Sequence, residues 1–559
     1  MARVFRGADA LARALRTAGV ARIFTLSGNH VMPVFDATID AGISLLHTRH
    51  EAATVHMADA WARLTGEPGI ALVTGGPGHA NAVSALYTAQ MAEAPVVLLS
   101  GHAPNGQLGM GAFQEMRQAE MAAPVTKASW TCASADEVAQ DLARAISIAR
   151  SGRPGPVHLS LPADVLEQAA DADRLPGAPA FAARVQSLPA SDARSVLARL
   201  RQAKRPLVLA GPAFMTRRGR AQLHALEAAI DVPVIGMESP RGVNDPSLGA
   251  FAQVLTEADC VLLVGKRCDF TLKFGQPPAF DAGCIFVQVD AEQAEIERTR
   301  RAVGARLAAA FVADAQAATE ALAACAREQG PSAEKSRAAW LAEVRGAIDW
   351  RPPGWDRAAS GEPDRLHPVQ ACRPLQKLLD AHPDSVLVSD GGEIGQWAQA
   401  CLSAPNRVIN GVAGSIGAGL PFALAARVAK PDVPVVAVMG DGTFGFHVAE
   451  LDTAVRYALP FVAVVGNDAR WNAEYQIQLK DYGADRLVGC ELRPMRYDQV
   501  SVAFGGYGER IEQPIESVVC DRGSRRHRRG ITGSGAVAHP VHVLSGRKAN
   551  TYVGAGNML

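Results

Sequence analysis

Short apolar runs rich in β-branched residues alternate with Ala- and Leu-rich helical segments along most of the chain, and few folds accept that order. A buried strand, a helix and a second buried strand make a βαβ unit, whose strands are parallel and covered by helices on both faces. Candidate strands are Ile70–Thr74, Val96–Ser100, Val157–Leu161, Leu207–Ala210, Val261–Val264, Ile285–Val289, Val386–Ser389, Val435–Met439 and Phe461–Val465. Nearly all run into Gly, Asp, Asn or Pro. Open α/β sheets place ligands beyond the carboxyl ends of their strands, so these turns are where chemistry is sought.

At 559 residues the chain is too long for one hydrophobic core, and several domains are expected. Residues 163–190 and 328–366 read as linkers, the first rich in Ala, Asp and Pro, the second carrying charge, Ser and the run Trp350-Arg351-Pro352-Pro353-Gly354-Trp355. They divide the chain into α/β blocks at about 1–165, 190–328 and 366–520. Similar block size hints at duplication, although no repeat of sequence accompanies it.

Lys plus Arg and Asp plus Glu number 56 each, so no global field draws the chain to nucleic acid or an anionic membrane. A small-molecule substrate is the expectation. Nine scattered cysteines without CxxC spacing read as reduced thiols, neither disulfide framework nor zinc site. The first residues lead into a helical pattern without an apolar signal core, and no stretch approaches about 20 uninterrupted apolar residues. Together these features predict a cytoplasmic enzyme. Residues 521–559, with Arg525-Arg526-His527-Arg528-Arg529 and then Gly-, Ser- and Val-rich text, show neither helical nor strand period. This atypical tail reads as a nucleic-acid arm, as a divergent or disordered terminus, or, the reading favoured here, as translation out of frame.

Three turns carry oxygen ligands or close backbone approach. Gly440-Asp441-Gly442 closes one apolar run and Asn467-Asp468 the next, a set that suits a hard cation holding a diphosphate. Thr74-Gly75-Gly76-Pro77-Gly78 makes a sharp strand-to-helix connection. Glu51, after Thr48-Arg49-His50, stands at a helix N-terminus, where a carboxylate also serves as a dipole-stabilising residue. Each signal alone is weak.

In combination they resemble a known family. Thr48-Arg49-His50-Glu51-Ala52-Ala53, Val73–Gly78 with Asn81-Ala82, and Ala112-Phe113-Gln114-Glu115 are similar to the N-terminal domain of thiamine-diphosphate enzymes of the acetolactate synthase type. Ser389-Asp390-Gly391-Gly392, Gly414-Ser415-Ile416-Gly417 with Leu420-Pro421, and Gly440–Gly442 with Asn467-Asp468 continue the likeness in order to about residue 515. The resemblance implies three doubly wound parallel-sheet α/β domains, pyrimidine-binding, middle and diphosphate-binding. It implies thiamine diphosphate and Mg2+ as cofactors.

Residue by residue, it implies that Glu51 hydrogen-bonds the aminopyrimidine ring and promotes the tautomer that activates the thiazolium. Asp441 and Asp468, with the backbone carbonyl of Arg470, would hold magnesium; Asp468 stands where the family usually has Asn. Gly391, Gly392, Gly442 and Thr443 would serve the diphosphate, and Gly414 and Ser415 flank Ile416, which would bend the cofactor between its rings. Gln114 would lie near the reacting carbon. His30, in Ser27-Gly28-Asn29-His30, falls where benzaldehyde lyase has an active-site histidine and acetolactate synthases generally do not.

The middle block has Gly265-Lys266-Arg267-Cys268-Asp269, similar to an element near the flavin of acetolactate synthases, but their following residues are not found here. Phe274-Gly275-Gln276-Pro277-Pro278 looks instead like 2-hydroxyacyl-CoA lyases, which weighs against FAD. The resemblance implies carbon–carbon lyase or carboligase chemistry on a 2-keto acid or 2-hydroxy carbonyl compound, in a homodimer or homotetramer with sites at the subunit interface. Benzaldehyde-lyase or 2-hydroxyacyl-CoA-lyase activity is one alternative, and an idle homologue acting as a scaffold is another.

Overall fold

The computed structural model describes residues 4–330, 335–361, 365–512 and 541–547. Three sheets follow one another along the chain, and every strand pairing within them is parallel. The first contains β1 (Arg22–Thr25), β2 (Ser44–His47), β3 (Gly69–Val73), β4 (Val96–His102), β5 (Ala128–Thr131) and β6 (Val157–Pro162), in the order β2-β1-β3-β4-β6-β5. The second contains β7 (Pro206–Ala210), β8 (Val234–Gly236), β9 (Cys260–Val264), β10 (Ile285–Asp290) and β11 (Leu307–Val312), ordered β11-β10-β9-β7-β8. The third contains β12 (Val386–Ser389), β13 (Asn406–Ile409), β14 (Val435–Gly440), β15 (Phe461–Asn467), β16 (Tyr507–Arg510) and β17 (Val541–Arg547), ordered β13-β12-β14-β15-β17-β16.

The first and third sheets therefore share one strand order, second-first-third-fourth-sixth-fifth. The likeness between blocks that their size hinted at is present in the topology of the first and third sheets. Each sheet is covered on both faces, as runs such as Cys260–Val264 require, since every residue in that strand is buried.

Packing ties the first and third sheets closely. The helix Glu51–Thr65 lies against the helix Gly419–Ala429, and Ala52, Ala58, Ala60 and Ala62 meet Ala423, Ala425 and Ala426 in one shared core. Small side chains on both helices let the backbones approach. Arg63 adds a buried link, pairing with Asp59 at 2.7 Å and donating to the carbonyl of Ile409 at 2.7 Å. The middle domain is tied to the first by buried Arg153, which binds both Glu93 and Asp290. It is tied to the third by Arg407, which donates to Glu238 at 2.9 Å.

Two stretches differ from expectation. Residues 328–366 contain the helix Lys335–Asp349, whose Trp340 and Val344, one turn apart, are buried in the middle-domain core. Within the atypical tail, 541–547 form β17 between β15 and β16, a short β-rich run between Pro and Gly that does not stand out in the sequence. The rest of the tail lies outside the described residues. Among the described residues no helix is long and apolar enough to cross a membrane, and the eight cysteines there are free thiols.

Candidate active site

In the third sheet, strand order reverses between β12 and β14, the switch point at which open α/β sheets leave a crevice. The turns beyond these strands and β15 line a cavity of about 340 Å³. Gly391, Gly392, Gly414, Ile416, Asp441, Gly442, Thr443, Asp468 and Arg470 all border it. Ser415 is half-buried beside them but outside the lining.

Asp390 organises the floor. Its fully buried carboxylate accepts from the amides of Gly391 at 2.6 Å, Gly417 at 3.0 Å and Gly419 at 2.5 Å, drawing together the turns after β12 and β13. Burial nevertheless pushes its pKa up to about 6, because these dipoles only partly replace water. A Cβ on Gly391 would collide with Ile416, and one on Gly442 would stand 2.5 Å from the Trp471 ring, so both turns present bare backbone.

Asp441 begins the helix Asp441–Phe446, and its Oδ2 is buried without a hydrogen-bond partner. Burial first, and then the charge of Asp468, push its pKa up to about 7. Two carboxylates brought together with an orphaned oxygen fit a divalent cation, which would remove the cost of that buried charge. Among the described residues no three His, Cys, Asp or Glu side chains group as a metal site. A hard cation that keeps phosphate and backbone oxygens in its shell suits this donor set better than zinc does.

The equivalent switch point of the first sheet, between β1 and β3, gathers the other candidates. His30 Nδ1 lies 3.2 Å from Thr74 Oγ1, and its ring stacks on Phe113 with centroids 6.0 Å apart. Burial, and then neighbouring His102, hold the His30 pKa below the ordinary 6.5, favouring neutral imidazole. Gly76, at φ +57°, leaves no room for a side chain, since a Cβ would stand 2.7 Å from the Gln114 carbonyl oxygen. Half-buried Glu51 opens the helix Glu51–Thr65; its Oε2 accepts from Asn81 Nδ2 at 3.1 Å, and its Oε1 would lie 3.3 Å from a Cβ on Gly78. The Thr74–Gly78 turn thus assembles His30, Gln114 and Glu51 into one cluster.

None of those three lines the cavity at the third sheet. The cavity also has walls that sequence reasoning missed. Ser239, Pro240 and Arg241 come from the middle domain just beyond β8, a strand of three residues too short to be recognised. Buried Glu393 accepts from Asn472 and, at 3.1 Å, from Trp397 Nε1.

Three family models match in chain order: the N-terminal TPP binding domain of thiamine pyrophosphate enzymes over residues 5–121, the central domain over 193–322 and the C-terminal TPP binding domain over 390–520. The acetolactate synthase large subunit of Mycobacterium tuberculosis is 33% identical over 521 residues, covering 90% of this chain and 91% of that protein. The 2-hydroxyacyl-CoA lyase 2 of Homo sapiens is 30% identical over 582 residues, covering 93% of this chain and 87% of that protein. The acetolactate synthase large subunit of Parasynechococcus marenigrum is 32% identical over 528 residues, covering 90% and 83%. With three parallel-sheet domains in this order and a cavity framed by paired aspartates and bare glycine turns, the chain belongs to the thiamine pyrophosphate enzyme family.

Proposed function

We propose that the protein is a thiamine-diphosphate- and magnesium-dependent carbon–carbon lyase or carboligase, acetolactate-synthase-like, acting on a 2-keto acid or 2-hydroxy carbonyl substrate. The observation that carries this reading is the buried, unpartnered Asp441 Oδ2 beside Asp468 in a glycine-walled cavity. Asp441, Asp468 and the carbonyl of Arg470 would hold magnesium. The Gly392 amide and the Thr443 hydroxyl, reached across the bare turns at Gly391 and Gly442, would hold the diphosphate, with Ile416 and Gly414 against the ring system. When bound, thiamine diphosphate supplies an electron sink for the carbon–carbon bond that breaks or forms.

The remaining work falls to side chains of the first domain. Glu51 holds a proton at the aminopyrimidine ring nitrogen. Gln114 donates to the substrate carbonyl or hydroxyl, and neutral His30 takes and returns the proton of a substrate hydroxyl. Because none of the first-domain candidates lines the cavity within one chain, the complete site is assigned to two copies, in a homodimer or a dimer-based homotetramer. Exposed Met110 and Phe113 beside the first cluster, and Ile477 and Tyr482 on the helix Asn472–Tyr482 beside the cavity, support an apolar contact between copies. Free cysteines support a reducing compartment, the cytoplasm.

His30, held against Thr74, supports a second substrate reading, cleavage of a 2-hydroxy ketone or 2-hydroxyacyl-CoA. Pyruvate, benzoin and a 2-hydroxyacyl-CoA assayed in parallel, with and without flavin, separate the two. Acetolactate from pyruvate selects the synthase; benzoin or acyl-CoA cleavage lost in H30A selects the lyase. E51Q is expected to lower turnover by about 10²–10⁴-fold while the fold is kept. Normal turnover in E51Q, or no calorimetric binding of thiamine diphosphate with Mg2+, would refute the catalytic reading and favour a scaffold.

A further inference from the structure

We propose that Gln118 is a positioning residue, the side chain that holds the Gly75–Gly76 turn and Gln114 in their working arrangement. It rests on the assignment of Gln114 above. Gln118 opens the short helix Gln118–Ala122 and is 1% exposed, so it cannot itself reach a substrate. Its Oε1 accepts from the Gly76 amide at 2.8 Å, and its Nε2 donates to the Gly101 carbonyl at 3.1 Å and to Ser160 Oγ at 3.1 Å. One amide therefore ties the carboxyl ends of β3, β4 and β6 to the loop that carries Gln114.

The amide has one workable orientation. Reversed, its NH2 would face the Gly76 N–H and its oxygen would face the Gly101 carbonyl, two repulsions in place of two bonds. Both Nε2 protons are used.

What this anchor holds is a tight and unfavourable contact. Gln114 has φ +58°, in the left-handed region that non-glycine residues rarely adopt. It lies directly against Gly76, itself at φ +57°, and Gly75 is so near Gly101 that a Cβ would stand 2.7 Å from the Gly101 oxygen. A residue in such a conformation persists only where its surroundings over-determine it. The Gln118 bonds hold the Gly76 side of that contact and the Gly101 carbonyl beside Gly75. Gly101 also supports His30, since a Cβ there would stand 2.6 Å from His30 Cβ. Both substrate-side candidates thus rest on backbone that Gln118 clamps.

The test compares Q118L, Q114A and Q114A/Q118L as full chains with thiamine diphosphate and Mg2+. Amide exchange by mass spectrometry should show faster exchange across Gly75–Gly78 in Q118L. Its kcat should fall about 10-fold or more, while thiamine diphosphate affinity stays within about twofold, as a displaced reacting group predicts. The double variant should be no slower than Q114A within about twofold, because Gln118 acts through Gln114.

Unchanged exchange in Q118L overturns the proposal. So does faster exchange with losses that multiply in the double variant, which would make Gln118 a general strut. Full turnover by Q114A would instead remove the reading of Gln114, and the exchange result, which needs no turnover, still decides whether Gln118 holds the turn. If Q118L does not fold, Q118E keeps the acceptor for Gly76 and removes both donors. It is expected to keep Gly76 protected while kcat falls as in Q118L, and an unchanged kcat counts against the clamp.

Discussion

Asp441 carries much of the candidate site's electrostatics in one carboxyl group. Its ordinary pKa of 3.8 rises to about 7, through burial and then Asp468. Between those values the unfolded chain is ionised while the folded chain still holds the proton. This group's contribution to stability therefore declines as pH rises from about 4 to about 7, and the cost is complete above that range. The melting temperature of the metal-free protein is expected to fall more between pH 5 and 8 than that of D441N. Loading magnesium and thiamine diphosphate near pH 6 should release protons, visible as a calorimetric enthalpy that depends on the buffer's ionisation heat. Equal pH slopes for the two proteins would contradict this account. Asp441, Asp468 and Glu51 could be picked out as candidates in the sequence because each follows closely on an apolar run that proves to be a strand. Gln118 and Glu393 could not, because their meaning lies in partners 42 and 79 residues away.

At the scale of elements, legibility followed burial. All nine apolar runs expected as strands coincide with observed strands, Thr74 alone lying beyond its strand's end, and all nine strands are flanked on both sides by other strands. The strands not anticipated include every sheet edge: β2, β5, β8, β11, β13 and β16. In β5 and β16 no residue is fully buried, so neither shows a continuous apolar run. An edge strand needs no second covered face, and its sequence relaxes accordingly. The central helices are the opposite case. Phe422, in the helix Gly419–Ala429, is fully buried, meets the His56 ring edge-on with centroids 5.7 Å apart, and lies under the Arg63 guanidinium at 4.9 Å. F422A should cost about 3–5 kcal/mol, the cost of a large core truncation. It should lower the urea midpoint at which the helix Glu51–Thr65 loses amide protection, because that helix shares the cavity left behind. A midpoint unchanged there would mean the two domains do not depend on this contact.

The whole molecule poses the last problem. The first and third sheets have the same strand order, and each gathers candidate groups at the same switch point, yet none of the first sheet's candidates lines the cavity of the third. If a second copy completes the site, a lesion on either side of the division can be supplied by its partner. A chain carrying E51Q still brings an intact Asp441, and one carrying D441N still brings an intact Glu51. Co-expressed, the two inactive variants should form hybrids with one site carrying both native residues and one carrying both lesions. Random pairing in a closed dimer then predicts recovery of roughly a quarter of wild-type turnover, because half the dimers are hybrids and half their sites are whole. A site built within a single chain predicts none, since every site would then contain one lesion. The separately purified variants, mixed without exchange of subunits, are the control, and recovery should grow with the time allowed for exchange.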